Sequence, residues 1–249
     1  RETIKNPNYK SVVNTTITNL NRSFGARTSG EIAKYYGDEG LEDNSIVFNL
    51  KGIAGQSFGV FLSKGITLNL DGVANDYVGK GMAGGKIVIK PGKGTGAGNT
   101  CLYGATAGKL FVAGEVGERF AVRNSGAVAI VEGTGDHPCE YMTGGEVIVL
   151  GQTGINFGAG MTGGVAFVYD KEHEFVDKIN PELIEIRRID IDENEKPKLY
   201  LKKRLQEYVN ATNSKVAEHI IDNFRSEVRH FWLVTPKDNR PPLDPNDMD

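Results

Sequence analysis

Short apolar runs recur along the middle of the chain, and a glycine stands immediately before each of them. The six pairs are Gly65 before ITLNL, Gly85 before KIVIK, Gly108 before KLFVA, Gly126 before AVAIV, Gly145 before EVIVL and Gly164 before VAFVY. The intervals between these glycines are 20, 23, 18, 19 and 19 residues. A repeat of this length with one short strand per unit indicates a solenoid, whose repeats bury their apolar faces only by stacking.

No helical segment lies between the runs, so the pattern favours an all-β solenoid, a parallel β-helix, over a leucine-rich horseshoe. Alternate residues of a strand share a face. The second and fourth residues after each glycine are therefore predicted to point inward: Ile87 and Ile89, Leu110 and Val112, Val128 and Ile130, Val147 and Val149, Ala166 and Val168. The first run, ITLNL, is one residue out of phase, as expected of a terminal repeat.

The third residue after each glycine is predicted to point outward, yet it is apolar in each of the five in-phase repeats. These residues are Val88, Phe111, Ala129, Ile148 and Phe167. An outward apolar column must be covered, either by the chain's own tail or by another protein domain. Phe111→Asp would abolish docking but spare the fold if a partner covers the column, and would unfold the domain if the tail does.

Glycine also divides the chain. Of 32 glycines, 28 lie between Gly52 and Gly164, and none occurs in the last 85 residues. We predict a lead-in segment over 1–44, a glycine-rich β-helix over 45–170 and a helical tail over 171–249.

The flanking segments contain helical patterns. In the lead-in, Thr28 or Ser29 is expected to cap a short helix that passes through Ile32 and Tyr35 and stops at Gly37. The tail is expected to form helices over 199–208 and 214–231, the second carrying apolar residues at helical spacing. The basic trio Lys202, Lys203 and Arg204 is predicted to lie on a solvated helix face.

Gly79, Gly81 and Gly84 have the G-x-G-x-x-G spacing of a dinucleotide-binding turn, and GAGMTGG at 158–164 repeats it. A dinucleotide site needs a helix after the glycines, whose N-terminus faces the pyrophosphate. Here each cluster precedes a β-branched apolar run. The glycines are therefore predicted to form tight corners of the coil, where a positive φ or close approach between rungs excludes a Cβ.

Composition narrows the range of functions. A net charge of −3 and a pI near 5.9 give no general attraction to nucleic acid or anionic membranes. No run approaches the roughly 18 apolar residues of a membrane span, and a soluble, cytoplasmic protein is expected. Two cysteines, Cys101 and Cys139, make a disulfide scaffold improbable. Because the chain opens on Arg1, a fragment or processed product is expected.

The stretch GDHPCEYM holds the best candidate for metal chemistry, with Asp136, His137, Cys139 and Glu140 close in sequence. A zinc site needs three or four protein ligands, and a single His with a single Cys falls short. The favoured interpretation is a corner whose polar groups hydrogen-bond backbone.

Other polar clusters have similarly modest interpretations. Glu115, Glu118, Arg119 and Arg123 in GEVGERFAVR are predicted to form a charge ladder between rungs rather than an anion site. The side chains of Asn75, Asp76 and Tyr77 are predicted to cap backbone groups at a corner. His173, His219 and His230 lie outside the repeats, so no nucleophilic triad is visible. We therefore predict no catalytic, cofactor-binding or metal-binding residue in this chain.

Five motifs of the glycine-rich region follow one another along the chain: NDYVGKG, YGATAG, GERFAVRNSGA, GDHPCEYMTGG and NFGAGMTGGVA. Together with NLNRSFGARTSGEIAKYYGDEGL before them and AEHIIDNF and FWLVTP after them, they resemble the C-terminal GXGXG domain of the glutamate synthase large (alpha) subunit. The resemblance covers about residues 12–243. Pro138 stands where the family usually has glycine.

The resemblance implies a right-handed β-helix that is non-catalytic by itself and holds other domains of an oxidoreductase in place. In that enzyme an amidotransferase domain releases ammonia from glutamine, and an FMN domain with an iron–sulfur cluster completes glutamate formation from 2-oxoglutarate. Those domains are the expected partners, and FMN and the cluster are expected there. Two alternatives stay open: a β-helical subunit of formylmethanofuran dehydrogenase, and a stand-alone carbohydrate-acting β-helix protein, for which the sole tryptophan, Trp232, lies unfavourably in the tail.

Overall fold

The computed structural model describes residues 2–6, 8–191, 195–246 and 248. Eight parallel strands follow one another in chain order through one sheet. They are β1 (Ser11–Ile17), β2 (Ile46–Ala54), β3 (Ile66–Ala74), β4 (Ala83–Lys90), β5 (Ala107–Val112), β6 (Ser125–Val131), β7 (Thr143–Val149) and β8 (Gly163–Tyr169). This is the parallel β-solenoid that the repeat predicts.

In the part of the chain that the structure describes, two further strands and five α-helices flank the solenoid. β9 (Ile184–Arg188) and β10 (Phe231–Pro236) extend the sheet past β8 in antiparallel sense, with β10 in between. The helices are α1 (Glu2–Lys5), α2 (Ala26–Tyr36), α3 (Lys196–Thr212), α4 (Lys215–Asp222) and α5 (Phe224–Glu227). The sheet thus runs across both boundaries of the predicted three-part division, which itself stays a prediction.

The inward ladder follows the predicted alternation in most rungs. Leu68, Ile87, Leu110, Ala129, Val147 and Ala166 are aligned across successive strands and are all fully buried. The offset of the ITLNL run is confirmed, because Leu68 lies three residues after Gly65 but pairs with Ile87, which lies two after Gly85.

The prediction for the β6 rung is wrong by one residue. Ala129 belongs to the interior, while Ile130 aligns with the outward residues Phe111 and Ile148, and Val128 packs outside as well. The cause is Gly126, which is not equivalent to the other reference glycines. Ala127 occupies their position, and the buried Asn124 side chain hydrogen-bonds both its N–H and its carbonyl at 2.9 Å.

The chain's own tail covers the outward apolar column, defined here as Val88, Phe111, Ile130, Ile148 and Phe167. Four of these side chains form one buried cluster with Leu201, Leu205 and Tyr208 of α3 and with Ala217 and Ile220 of α4. Phe111 meets the Tyr208 ring edge to face at a centroid distance of 5.7 Å. Of the two coverings that the sequence left open, the tail is the correct one, and the column is not a free docking surface.

The corners between strands have an unusual backbone that explains the glycines. Positive φ values alternate along each corner, for example at Tyr77, Gly79 and Gly81. Their amides bond neighbouring rungs in turn: Tyr77 donates to the carbonyl of Asn99, Gly79 to Phe58 and Gly81 to Tyr103. The interior rungs are thereby tied to both neighbours at their corners as well as along their strands, which satisfies the backbone polar groups.

The helices agree with the sequence in place and differ in detail. α2 stops at Gly37 as predicted, but it begins one residue after Gly25, so Thr28 and Ser29 lie inside it and do not cap it. The single helix predicted over 214–231 is interrupted, with α4 capped by Ser214 and broken at Asn223. The prediction for Arg204 is also wrong, since its side chain is buried.

One prediction tests the close stacking of glycines between rungs. A Cβ on Gly72 would lie 1.8 Å from the carbonyl oxygen of Gly52, its partner across β2 and β3, and Gly72 has a φ of +152°. We expect Gly72→Ala to lower the free energy of unfolding by about 2–4 kcal/mol through backbone displacement and strain. Urea denaturation measures the change.

Gly30→Ala is the matched control, because Gly30 lies within α2 and a Cβ there meets nothing within 4 Å. Replacing a helical glycine by alanine should raise the free energy of unfolding by about 0.5–1 kcal/mol. Equal denaturation midpoints for the two variants would contradict the stacking account.

Candidate functional site

The residues of GDHPCEYM do not converge on one point. His137 Nδ1 lies 2.9 Å from Glu140 Oε1, and the Asn156 amide on the next rung donates to the same carboxylate at 3.0 Å. Cys139 instead faces the buried interior, and Asp136 Oδ1 accepts the amide N–H of Ile155 at 2.9 Å. The arrangement is a partly exposed hydrogen-bonded cluster at a corner. The favoured interpretation holds for Asp136, which binds backbone, and is wrong for His137 and Glu140, which bind side chains instead.

The cysteines are poorly placed for reaction or ligation. Both are free and fully buried among core residues. Burial raises the pKa of the Cys101 thiol to about 12 and raises that of Cys139 further still. Since the thiolate is the nucleophile and the metal ligand, neither side chain supplies it near neutral pH. Across the ranges that the structure describes, no group of three or more His, Cys, Asp and Glu side chains could hold a metal ion.

The GEVGERFAVR segment is tied to the next rung by its backbone amides and does not form the predicted charge ladder. Glu115, Glu118, Arg119 and Arg123 are all exposed, and within the described part of the chain no ion pair joins them. Arg119 and Arg123 have positive φ and donate their amides to the carbonyls of Asp136 and Glu140 on the next rung. The predicted ladder is absent because these side chains extend into water, where an ion pair has little value.

Capping of backbone groups, predicted for Asn75–Tyr77, is confirmed for Asp76. Its Oδ1 accepts the N–H of Asn99 at 2.8 Å, and the Asn99 side chain accepts the N–H of Glu118 at 2.9 Å one rung further on. The position of these side-chain oxygens explains why glycine stands at positions 98 and 117. A Cβ on Gly98 or Gly117 would lie 2.2 or 2.1 Å from these side-chain oxygens. Glycine there makes room for a polar column that holds the corners in register.

Strands follow the two G-x-G-x-x-G stretches. Gly79 and Gly81 lie at the corner before β4, and Gly158 and Gly160 lie at the corner before β8. The helix N-terminus that a dinucleotide site requires is therefore replaced by a strand in both places. The corner interpretation of these glycines is correct.

The structure brings together two histidines that the sequence treats separately. The rings of His173 and His230 lie 6.1 Å apart, and an Arg188 N–H lies 3.0 Å from His173 Nδ1. Arg188 also stacks on Trp232 at 3.9 Å, and the Trp232 indole donates to Asp170 at 2.9 Å. Burial lowers the pKa of His230, which favours its neutral form. These groups close the C-terminal end of the solenoid; His219 lies apart, exposed on α4.

Sequence reasoning missed a buried polar cluster between the sheet and α3, which we call the tail clasp. Glu146 on β7 accepts Tyr200 Oη–H at 2.6 Å and Arg204 Nε–H at 3.0 Å, and both charged side chains are 4% exposed. Arg204 also pairs with Glu207 at 3.1 Å, which pairs with Lys109 at 2.6 Å. The available signal was the charged residue in the strand run EVIVL and the helical spacing of Tyr200 and Arg204.

Burial sets the electrostatics of the tail clasp. It raises the pKa of the Glu146 carboxyl, while the guanidinium of Arg204 and the Tyr200 hydroxyl oppose that rise by stabilising the carboxylate. Burial and the neighbouring Glu146 together raise the pKa of Tyr200 to about 12, so the phenol stays protonated and donates. Tyr200, Arg204 and Glu146 Oε2 bond one another, whereas Glu146 Oε1 is buried without a hydrogen-bond partner among the described residues. The clasp is thus mainly a structural contact between the sheet and α3.

The fold and its corners define a parallel β-solenoid whose rungs turn through alternating positive-φ residues, which are glycines at some corners and other residues at others. A family model described as "GXGXG motif" matches residues 1–237. The chain belongs to the GXGXG family, and the proposed resemblance to the glutamate synthase large subunit is confirmed by its relatives.

Three relatives show the extent of the match. The NADH glutamate synthase of Schizosaccharomyces pombe is 47% identical over 242 residues, which is 94% of this chain and 11% of that protein. The ferredoxin-dependent glutamate synthase of Pyropia yezoensis is 50% identical over 228 residues, with 88% and 15% covered. The NADPH glutamate synthase large chain of Bacillus subtilis is 46% identical over 230 residues, with 89% and 15% covered.

The chain therefore spans only 11–15% of the length of these relatives and corresponds to one domain of a glutamate synthase. The match favours neither the formylmethanofuran dehydrogenase subunit nor a carbohydrate-acting protein. Among the described residues, no helix combines the length and the apolar character needed to cross a membrane.

Proposed function

We propose that the chain is a non-catalytic scaffolding domain of a glutamate synthase, an enzyme that forms glutamate from glutamine and 2-oxoglutarate. It holds the amidotransferase and FMN domains of that enzyme in their relative positions. The observation that supports this role is a single ten-stranded sheet, tied between rungs at its corners, whose polar side chains are used to secure the fold. A cytoplasmic location, as the composition predicts, is part of the proposal.

The FMN and the iron–sulfur cluster of the enzyme are assigned to the partner domains. Such clusters are held by three or four cysteine thiolates, whereas Cys101 and Cys139 are the two cysteines of this chain and both are buried in its core. The residues present do not fit a cluster. The domain contributes to the reaction by fixing the relative positions of the amidotransferase and FMN sites. Ammonia released at the first site reaches the second only if the two are held in place.

Glu140→Gln in the full-length enzyme tests the non-catalytic part of the proposal. Glu140 and His137 are the strongest candidates for acid–base chemistry among the described residues, and the substitution removes a carboxylate that lies 2.9 Å from an imidazole nitrogen. We expect glutamine-dependent glutamate formation to stay within about twofold of wild type, because general acid–base groups typically contribute about 100-fold or more.

Glu118→Gln is the matched control, since it removes an exposed corner carboxylate that has no hydrogen-bond partner within the described residues. A loss of about 100-fold for Glu140→Gln alone, with the domain still folded by circular dichroism, would make this corner catalytic and overturn the proposal.

A further inference from the structure

The two edges of the sheet differ in their protection. The β9 edge carries Glu185, Arg187 and Arg188. The β1 edge has the sequence SVVNTTI, with no charge and no proline. Natural proteins protect exposed edge strands with charges, prolines or bulges, because an unprotected edge pairs with any available strand. Solenoids likewise need a cap at each end. In the described part of the chain, β1 pairs only with β2.

The surface around β1 is apolar as well as open. Residues 12–16 are all exposed, so neither face of the strand is covered. Val12 is 62% exposed and Val13 40%, and the adjoining Tyr9 and Leu20 are 54% and 83% exposed. Four large apolar side chains are thus concentrated in the first rung, which is typical of an interaction surface.

A ladder of asparagine side chains runs to this edge and ends there. The amide nitrogen of Asn69 on β3 donates to Asn49 on β2 at 2.9 Å, and that of Asn49 donates to Asn14 on β1 at 2.9 Å. The three residues are in register across the strands. The Asn14 amide nitrogen has no acceptor in the described part of the protein, so the ladder offers a donor to a further strand.

We propose that β1 is a pairing edge that receives an additional β-strand from another part of the same glutamate synthase polypeptide. The incoming strand is extended, and its residue opposite Asn14 carries a side-chain hydrogen-bond acceptor. This inference rests on the proposed function and names the contact by which the scaffold is tied to its neighbours. The aligned segment is only 11–15% of each matched relative, so such a strand has a source in the rest of the polypeptide. A tethered strand also outcompetes a second copy through its high effective concentration.

Hydrogen exchange in the full-length enzyme tests the pairing. A parallel strand paired on one side directs only about half of its amides into hydrogen bonds, whereas pairing on both sides uses nearly all of them. We expect nearly all seven amides of Ser11–Ile17 to exchange slowly. Asn14→Asp removes the side-chain donor. It should raise by about tenfold the exchange rate of the β1 amides that point away from β2. Asn239→Asp, which adds the same charge at an exposed turn, should change nothing.

Slow exchange of only about half of these amides in the wild-type enzyme would overturn the proposal. A photo-crosslinker on Val13→Cys identifies the occupant. A crosslink to another segment of the same polypeptide supports the proposal, and a crosslink to β1 of a second copy overturns it. Hydrogen exchange and crosslinking do not depend on enzyme activity. They can therefore support strand pairing at β1 even if a separate activity measurement shows that the domain is not a scaffold.

Discussion

Phe111→Asp is expected to leave the chain unfolded. Phe111 is fully buried between the sheet and the tail helices, where it contacts the Tyr208 ring. Deleting a buried phenylalanine costs about 3–5 kcal/mol, and burying a carboxylate without a partner adds to this loss. The combined loss is comparable to the stability of a domain at the lower end of the usual range of about 5–15 kcal/mol, so we expect unfolding. Far-UV circular dichroism and urea denaturation measure the result.

Phe61→Asp is the control for this substitution, because Phe61 is 60% exposed at a corner. Its φ of +53° is one that aspartate tolerates. We expect a change within about 1 kcal/mol. A folded Phe111→Asp protein with normal stability would show that the tail helices do not cover the outward column in solution.

Arg204→Met should lower the free energy of unfolding by about 3–5 kcal/mol, because it leaves the Glu146 carboxylate buried without its counter-charge. Both side chains are 4% exposed, so water cannot replace the lost partner. Lys202→Met on the exposed face of the same helix is the control and should be nearly neutral. Thermal and urea denaturation report the difference.

The double variant Arg204→Met/Glu146→Met separates the loss of the ion pair from the loss of packing. Replacing both charged partners with apolar side chains is often close to neutral, so most of the lost stability should return. Recovery should be incomplete, because the Tyr200 hydroxyl then loses its acceptor. Additive losses in the double variant would contradict the tail clasp as a coupled unit.

The sequence predicted the repeat and the inward ladder because backbone sterics and burial impose them locally. A period near 20 and alternating apolar residues follow from stacking identical rungs. The exception is instructive. In the β6 rung Ala127 replaces the reference glycine, and Asn124 supports the backbone there. Counting from the nearest glycine therefore shifted Ala129 to the wrong face.

Contacts between distant segments were beyond what a local pattern could predict. Arg204 resembles any lysine or arginine on a surface helix until Glu146, 58 residues earlier in the chain, is placed beneath it. The asparagine ladder was also missed, because Asn14, Asn49 and Asn69 are unremarkable until the register aligns them. The role of Asp76 was easier to predict from sequence, because a short side-chain acceptor at a turn commonly caps nearby backbone amides.

The coupling of the two half-reactions tests the scaffolding claim most directly. In full-length glutamate synthase, the ratio of glutamine hydrolysed to 2-oxoglutarate converted is measured for wild type, Arg204→Met and Arg204→Met/Glu146→Met. A scaffold predicts that Arg204→Met raises the ratio while each half-reaction persists, and that the double variant restores it. An unchanged ratio in an enzyme whose Arg204→Met domain is unfolded by hydrogen exchange would contradict the account.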